Sequence, residues 1–231
     1  MIKNARLKKD YKIIDIGGGE GYITLYCAKK KCFVYHIDYD LDLLSRAKLK
    51  ANQNSVHSIN YIRAIAENLE FIRDELFDIG FCGEVLEHIL NDESAIKQVK
   101  RILKPSGKYI ITTPNYYALP YIFLRAIPYK LRVLLFKIFN VKLHYHGKIL
   151  DNKSYERDHR GHVRYGYKKK ELKLKLKSNG FEIEKITGFG FLMPRKIARK
   201  IPSIVYKLLN YLGNVLSPVA SKILIVARKK N

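Results

Sequence analysis

Four of the five residues at positions 17–21 are glycine, within the stretch IIDIGGGEGYITL, residues 13–25. Glycine is used where the backbone takes a positive φ angle or where a ligand must come close to the main chain. The apolar run before the glycines predicts a buried strand, and the residues after them predict the first turn of a helix, whose free N–H groups attract polar ligands. The stretch therefore predicts a nucleotide-binding turn between a strand and a helix.

The spacing of these glycines distinguishes between two kinds of nucleotide-binding turn. A dinucleotide turn carries Gly-x-Gly-x-x-Gly, and counting from Gly17 its third glycine falls on Tyr22, so that pattern does not fit. The pattern that fits is an acid followed by glycines at alternate positions, namely Asp15, Gly17, Gly19 and Gly21. This spacing resembles motif I of the class I S-adenosylmethionine (SAM) methyltransferases, where the glycines pass beneath the methionyl and ribose parts of the cofactor.

An acid ends the second predicted strand, FVYHID, and lies 21 positions after the first glycine of the turn. Asp38 at this place can accept hydrogen bonds from both hydroxyls of a ribose. Asp40 is the alternative for that role, or it caps the next helix. We expect Asp38 to bind the ribose.

The segment after the third predicted strand resembles the part of the same family that covers the adenine ring. That part often carries an acid at the place of Ile65, and the isoleucine here implies that backbone groups and packing hold the adenine instead. The resemblance makes Ile65, Ala66 and Glu67 cofactor-binding candidates. The alternative is that the segment is only a loop over the edge of the sheet.

The most specific resemblance lies in GEVLEHI, residues 83–89, followed by RILKPSGKYIITTPN, residues 101–115. Both look like the corresponding regions of small-molecule O-methyltransferases, including the ubiquinone-biosynthesis type, and the resemblance extends over about residues 11–190. It implies SAM as the cofactor, with Glu84 among the residues that bind it. The implied reaction is an in-line displacement of the methyl group from the sulfonium by an atom of the acceptor.

His88 is the candidate general base, because histidine has a pKa near neutrality and this one follows the predicted fourth strand. The alternative is that His88 only orders its loop. A further alternative is a divalent cation bound by Glu84, Glu87, His88 and His162, since small-RNA 3′-terminal 2′-O-methyltransferases carry a similar Glu-x-x-Glu-His signature. We expect no metal, and we interpret His144 and His146 as surface residues of the lid and His159 as either a polar contact or a ligand.

Strands and helices alternate through the first half of the chain, which predicts a doubly wound sheet. Strands are expected over residues 11–16, 33–38, 58–63, 77–82, 108–114, 181–189 and 223–229, and helices over 21–30, 41–53, 92–103 and 168–180. We predict an α/β, Rossmann-like, doubly wound, seven-stranded mixed sheet with helical lid insertions. The expected organisation is a single domain over residues 1–231, with a helical lid at about 116–150 and a second helical insertion at about 191–222.

Both predicted insertions are apolar and basic. Residues 116–150 contain six Lys or Arg and no acid, and residues 191–222 contain no acid either. In the first, Leu131, Leu134, Leu135 and Ile138 follow helical spacing beside Lys130, Arg132 and Lys137. In the second, an apolar stripe is formed by Tyr206, Leu209, Leu212 and Leu216. Such helices pack on a core or lie on an anionic membrane, and they favour an apolar or lipid-linked acceptor.

Composition points to anionic partners. The 231 residues carry 44 Lys and Arg against 21 Asp and Glu, a formal net charge of +23, which favours nucleic acid or an anionic membrane surface. Hydrophobic residues at 47% exclude a disordered chain. Three cysteines without a CxxC pair, and a start without an apolar leader, lead us to expect a cytoplasmic protein, and the basic apolar insertions favour a peripheral membrane contact.

These features together predict a SAM-dependent methyltransferase that acts on a small-molecule or lipid-linked acceptor, with oxygen as the expected site. The alternative enzyme is an RNA 2′-O-methyltransferase, for which the positive charge and the metal hypothesis would account. The alternative outside catalysis is a SAM-binding or membrane-associated scaffold.

Overall fold

The computed structural model describes residues 1–118, 166–190 and 217–231, together with residues 128, 149–150, 154–155, 164, 202–205, 208, 211 and 215. The strands are β1 (Lys12–Ile16), β2 (Phe33–Asp38), β3 (Ile59–Arg63), β4 (Phe77–Gly83), β5 (Leu103–Pro114), β6 (Ile149–Leu150), β7 (Ser154–Tyr155), β8 (Phe181–Phe189) and β9 (Lys222–Lys229). The helices are α1 (Ile2–Ala5), α2 (Tyr22–Lys29), α3 (Leu41–Gln53), α4 (Asp92–Ile102) and α5 (Lys169–Ser178), with 3₁₀ turns at Leu86–His88 and Ser217–Val219.

Seven strands form one sheet in the order β3-β2-β1-β4-β5-β9-β8. The pairs from β3 to β5 are all parallel. Backbone hydrogen bonds join Ser221 to Gly190 and Lys230 to Gly180, so β9 runs antiparallel to β8. The predicted doubly wound, seven-stranded mixed sheet is confirmed. The chain reverses its direction of winding between β1 and β4, and ligands of such sheets bind at the carboxyl ends of the strands at that point.

The central strands are buried on both faces, as parallel strands covered by helices must be. Ile13, Ile14 and Ile16 of β1 are almost fully buried, and α4 contributes Ile96 and Val99 to the same core. The predicted limits of β2, α3 and β8 agree with the structure to the residue.

The start of β5 differs from the prediction. The sequence predicts a turn over residues 104–107 with the strand beginning at Lys108, whereas β5 already begins at Leu103. Phe77 pairs with Leu103 and Ile79 pairs with Lys108, so the residues between them bulge out of the ladder. The Asp78 carboxylate accepts hydrogen bonds from Lys104 Nζ at 2.6 Å and from the backbone N–H of Lys12 at 2.8 Å, which holds the bulge against β1. The turn residues are therefore used inside a strand.

The chain forms two compact units. One comprises residues 1–113, 170–186 and 224–231, and the other comprises residues 114–169 and 187–223. Within the second unit the amide of Asn115 donates to the backbone oxygens of Pro218 at 2.9 Å and Ala220 at 2.7 Å. The single-domain organisation over residues 1–231 stays a prediction.

The predicted insertions are described only in part. The lid was expected to be helical over about 116–150, but residues 149–150 are a strand, β6, that pairs antiparallel with β7. Residues 203–205, 208, 211 and 215 of the second insertion are helical, as predicted. The lid stripe and the stripe at Tyr206, Leu209, Leu212 and Leu216 lie outside the described residues. None of the helices in the described ranges is long and apolar enough to cross a membrane.

A buried acid near the end of β1 is an unusual element of this core. Asp15 is 2% exposed, and its Oδ2 accepts hydrogen bonds from the backbone N–H of Thr24 at 3.1 Å and from Thr24 Oγ1 at 2.6 Å. Burial raises the pKa of Asp15 to about 6, although the two hydrogen bonds from Thr24 oppose that shift. The fold therefore carries a carboxylate whose charge it disfavours.

We expect this group to lower the stability of the protein as the pH rises. The unfolded chain ionises Asp15 near pH 3.8, whereas the folded chain does so near pH 6, so the folded state binds more protons in that window and loses about 3 kcal/mol across it. The Asp15→Asn variant keeps an acceptor for Thr24 and should lack this loss. Urea unfolding at pH values below and above the window measures it.

The exposed Glu182→Gln change serves as the control, and it should leave the pH dependence of unfolding as in the natural chain. An Asp15→Asn variant that loses as much stability on passing through the window as the natural protein would contradict the prediction.

Candidate cofactor-binding and active site

The glycine turn connects the end of β1 to the start of α2. Three of its glycines have positive φ angles, 61° at Gly17, 55° at Gly19 and 74° at Gly21. Residues other than glycine adopt these positive φ angles only with strain, so the turn requires glycine at these three positions. Gly21 is the N-cap of α2, which sets the first turn of the helix directly behind the loop.

The turn is open at one position. A Cβ on Gly17 would come within 2.3 Å of Val85 Cγ2, and a Cβ on Gly21 would come within 3.0 Å of the Cβ of Ala47. A Cβ on Gly19 would meet no atom of the described residues within 4 Å. The main chain is packed against protein at Gly17 and Gly21 and accessible at Gly19, as a ligand that lies on the backbone requires.

Asp38 lies beside this opening at the carboxyl end of β2. Its side chain is buried, and Oδ2 accepts the backbone N–H of Gly19 at 2.9 Å while Oδ1 accepts that of Asp40 at 3.0 Å. Each carboxylate oxygen can accept a further hydrogen bond. Asp40 has the other role considered for it: its Oδ1 accepts the N–H groups of Asp42 at 2.8 Å and Leu43 at 3.3 Å and caps α3.

Asp15, the acid of the glycine motif, lies beneath the turn. Its Oδ2 is bonded to Thr24, which brings the start of α2 onto β1. A direct role of Asp15 toward a cofactor stays a prediction. Its described contacts are those of a group that shapes the turn from inside.

The segment after β3 lies next to Asp38. The N–H of Ala64 donates to the backbone oxygen of Asp38 at 3.1 Å, which places Ile65 and Ala66 near the end of β2. Ile65 is 52% exposed, Ala66 is buried and Glu67 is half-buried. The structure therefore brings the predicted adenine segment to the predicted ribose acid.

Two groups at this site were missed by the sequence reasoning. Tyr39 follows Asp38 and is 66% exposed, so an apolar ring accompanies the exposed Ile65. The buried pair Thr24 and His36 lies under the glycine turn. A histidine within the apolar strand FVYHID was the only sequence signal for the pair, because the contact between them joins separate elements.

The turn after β4 holds Glu84, Glu87 and His88. Glu84 has a positive φ of 58° and donates its N–H to the Thr112 oxygen at 2.8 Å. The neighbouring Val85 packs on Gly17, so this turn contacts the glycine turn. Glu87 is buried and accepts a hydrogen bond from Thr113 Oγ1 at 3.1 Å, and His88 is half-buried.

The described members of the proposed metal-ligand set, Glu84, Glu87 and His88, are not placed to bind a metal ion by themselves. Among the described residues, no group of three or more His, Cys, Asp or Glu side chains is placed to hold a metal ion. Glu84, Glu87 and His88 therefore do not form a site by themselves, and the Glu87 carboxylate is bonded to Thr113 in the core. His162, the proposed fourth ligand, lies outside the described residues, as do His144, His146 and His159.

Known proteins resemble this chain in sequence over its first half. Residues 14–111 match a family model described as a methyltransferase domain. The chain is 36% identical over 112 residues to the ubiquinone biosynthesis O-methyltransferase of Rickettsia akari (strain Hartford), a match that covers 48% of this chain and 43% of that protein. The chain spans about half the length of the curated relatives it matches.

Solved structures resemble the chain over its whole length. The YcgJ protein of Bacillus subtilis has a TM-score of 0.65 at 20% identity and covers 100% of this chain and 97% of its own. The cyclase SpnF has a TM-score of 0.65 at 16% identity and covers 99% and 77%. At these sequence identities, structural similarity establishes the fold but not the reaction, which must be inferred from the residues of the site. The chain therefore has the Rossmann-like fold of these structures, and residues 14–111 within it match the methyltransferase-domain family model.

Proposed function

We propose that this protein transfers a methyl group from SAM to an oxygen atom of a small-molecule or lipid-linked acceptor. The observation that carries the proposal is the opening at Gly19 beside the buried carboxylate of Asp38, inside the segment that matches the methyltransferase domain. The name of the Rickettsia relative, an O-methyltransferase, supports oxygen as the accepting atom.

The residues around the opening fit SAM. The backbone at Gly19 can receive the amino-acid part, the free lone pairs of Asp38 can accept the ribose hydroxyls, and the exposed Tyr39 and Ile65 offer apolar contact to a flat base. When bound, SAM supplies a methyl group on a positively charged sulfur, from which an oxygen nucleophile displaces it. The protein contributes mainly by holding the two reactants in line.

His88 is proposed as the group that takes the proton of the acceptor. As the new O–CH₃ bond forms and the S–CH₃ bond breaks, the hydroxyl proton passes to the imidazole and from there to water. The position of His88 in the turn that packs on the glycine turn supports this role. Histidine is suited to it because its ordinary pKa lies near neutrality.

Asp38 and Asp40 give a direct test of the cofactor site. Asp38→Ala removes a charged acceptor and should weaken SAM binding about tenfold or more in titration calorimetry. Asp40→Ala removes the cap of α3, so it should cost about 1 kcal/mol of stability and leave SAM affinity unchanged. The reverse result, with affinity lost only in Asp40→Ala, would assign the ribose to Asp40.

His88→Gln tests the proposed base. We expect the turnover number to fall about 100-fold or more while the dissociation constant of SAM stays the same, because the base acts only in the chemical step. His57→Gln, at an exposed histidine between α3 and β3, is the matched control and should keep full turnover. A loss of SAM affinity without loss of turnover in His88→Gln would indicate that His88 only orders its loop.

The readout for turnover is transfer of label from [methyl-³H]SAM into a lysate of the source cells, separated into organic-soluble, RNA and aqueous fractions with and without EDTA. Label in the organic fraction that survives EDTA is expected for a lipid-linked acceptor. Label in RNA that EDTA abolishes would establish the metal-assisted RNA methyltransferase instead. SAM binding without any transfer would leave the protein a SAM-binding scaffold.

The second unit is proposed to contact an anionic membrane surface. It contains 18 Lys and Arg but three Asp and Glu, so it carries +15 of the net charge of +23. Four of its described helical residues are apolar and exposed, Ile204 by 74%, Leu208 by 56%, Tyr211 by 63% and Val215 by 60%, and their sequence spacing of four, three and four is that of an apolar helical stripe. An exposed apolar stripe in a basic, acid-free stretch suits the interface of anionic lipids. A membrane contact also agrees with a lipid-linked acceptor.

Leu208→Glu tests this contact, with Leu49→Glu on α3 as a control of nearly equal exposure, 56% against 58%. Cosedimentation with vesicles rich in phosphatidylglycerol should bind the natural chain and Leu49→Glu, and it should bind Leu208→Glu about tenfold more weakly because an apolar contact becomes an anion. Vesicles of phosphatidylcholine alone should bind little. Equal binding of all three proteins to the anionic vesicles would contradict the proposal.

A further inference from the structure

Glycine is required at position 18 for a different reason from the neighbouring glycines. Gly17, Gly19 and Gly21 have positive φ angles, whereas Gly18 lies outside that region, so its φ angle does not require glycine. What excludes a side chain is space. A Cβ on Gly18 would lie 2.4 Å from Cε1 and 2.5 Å from Nδ1 of His36, and 3.0 Å from Oδ2 of Asp15. The middle of the glycine turn therefore rests on the imidazole of His36.

His36 also belongs to a buried chain of hydrogen bonds. Its Nδ1 lies 2.7 Å from Thr24 Oγ1, which in turn lies 2.6 Å from Oδ2 of Asp15. The hydroxyl of Thr24 has one hydrogen, so when Asp15 is ionised that hydrogen goes to the carboxylate and Nδ1–H must be the donor to Oγ1. In that state Nδ1 carries the proton of a neutral His36 and Nε2 does not. Nε2 is buried and has no hydrogen-bond partner in the described part of the chain.

The hydrogen bonds among Asp15, Thr24 and His36 link the three elements around the glycine turn. Asp15 is on β1, Thr24 is on α2 and His36 is on β2. The N–H of Gly18 donates to the Ile37 oxygen at 3.1 Å, and the N–H of Gly19 donates to Asp38, so the turn is bonded to β2 on either side of the imidazole contact. The imidazole of His36 therefore contacts the turn between two hydrogen bonds that hold the turn to β2.

We propose that His36 is a positioning residue for SAM binding, which orients the glycine turn through Thr24 and Asp15, and that position 18 is glycine to accommodate its ring. The inference rests on the proposed use of this turn for SAM. It assigns His36 no contact with the cofactor. Its effect passes through the placement of Gly19 beside Asp38.

A steric exchange between positions 18 and 36 tests the contact. Gly18→Ala should weaken SAM binding about tenfold or more and lower the unfolding temperature, because the new Cβ overlaps the imidazole. Gly18→Ala combined with His36→Ala should bind SAM more tightly than Gly18→Ala alone, since the ring that the Cβ meets is gone. If Gly18→Ala does not fold, recovery of a cooperative unfolding transition in the double variant is the same result. A double variant no better than Gly18→Ala would overturn the contact.

Two further substitutions separate positioning from filling of space. His36→Asn keeps an N–H donor near the place of Nδ1 and should hold SAM affinity within about threefold, despite the smaller volume. His36→Phe fills the space without a donor and should weaken SAM binding about tenfold, because Thr24 Oγ1 loses its hydrogen bond to position 36 while it keeps the one to Asp15. The exposed His57→Asn change is the control. If His36→Phe binds SAM as the natural chain does and His36→Asn does not, His36 is only a packing residue.

Different results would refute the proposed function and the positioning role of His36. A natural chain that shows no heat of SAM binding and no transfer would refute the proposed function. A natural chain that binds SAM, with His36→Ala and His36→Phe binding equally well, would refute the positioning role alone.

Discussion

The hydrogen bond from the N–H of Gly19 to the carboxylate of Asp38 fixes the open position of the turn after β1 against the carboxyl end of β2. For this bond to form, the main chain must approach the end of a neighbouring strand with no side chain between them. The turn meets that condition by packing Gly17 on Val85, Gly18 on His36 and Gly21 against Ala47, which leaves Gly19 as its open position. The site depends on this division between an inner surface filled by protein and an outer surface left for a ligand.

Local patterns predicted the elements that supply this geometry. β2 and α3 have the expected limits because an apolar strand that ends in an acid and a helix with an Asp cap are both encoded by neighbouring residues. The role of Asp40 was open from the sequence, since Asp at that place suits either a ribose or a helix cap, and the bonds to Asp42 and Leu43 show the cap. The turn at residues 104–107 was also a sound local signal, but Asp78 holds it within the strand through contacts that local sequence does not contain.

What the sequence could not predict are contacts between separate elements. The chain from Asp15 through Thr24 to His36 joins β1, α2 and β2, and its first and last members are 21 residues apart. The sequence marks Asp15 as part of a binding motif but does not say that its carboxylate turns inward to Thr24. In the same way, the segment GEVLEHI contains three polar residues whose burial the sequence does not predict. In the structure Glu87 is buried and bonded to Thr113, whereas His88 is half-buried.

Buried polar groups of this kind are expensive for a fold, and their presence under the turn needs a physical reason. Apolar residues of similar volume in place of Asp15, Thr24 and His36 would remove the cost of burying a carboxylate whose pKa has risen to about 6. They would also leave the backbone N–H of Thr24, in the first turn of α2, without its acceptor, and they would fix neither the height nor the tilt of the glycine turn. Hydrogen bonds are directional and specify an orientation that apolar packing does not. The fold therefore has a lower stability beneath the glycine turn, where the backbone must be correctly oriented for a ligand. The excess positive charge belongs mainly to the second unit, while in the first unit acids such as Glu20, Asp78 and Asp92 are bonded to lysines.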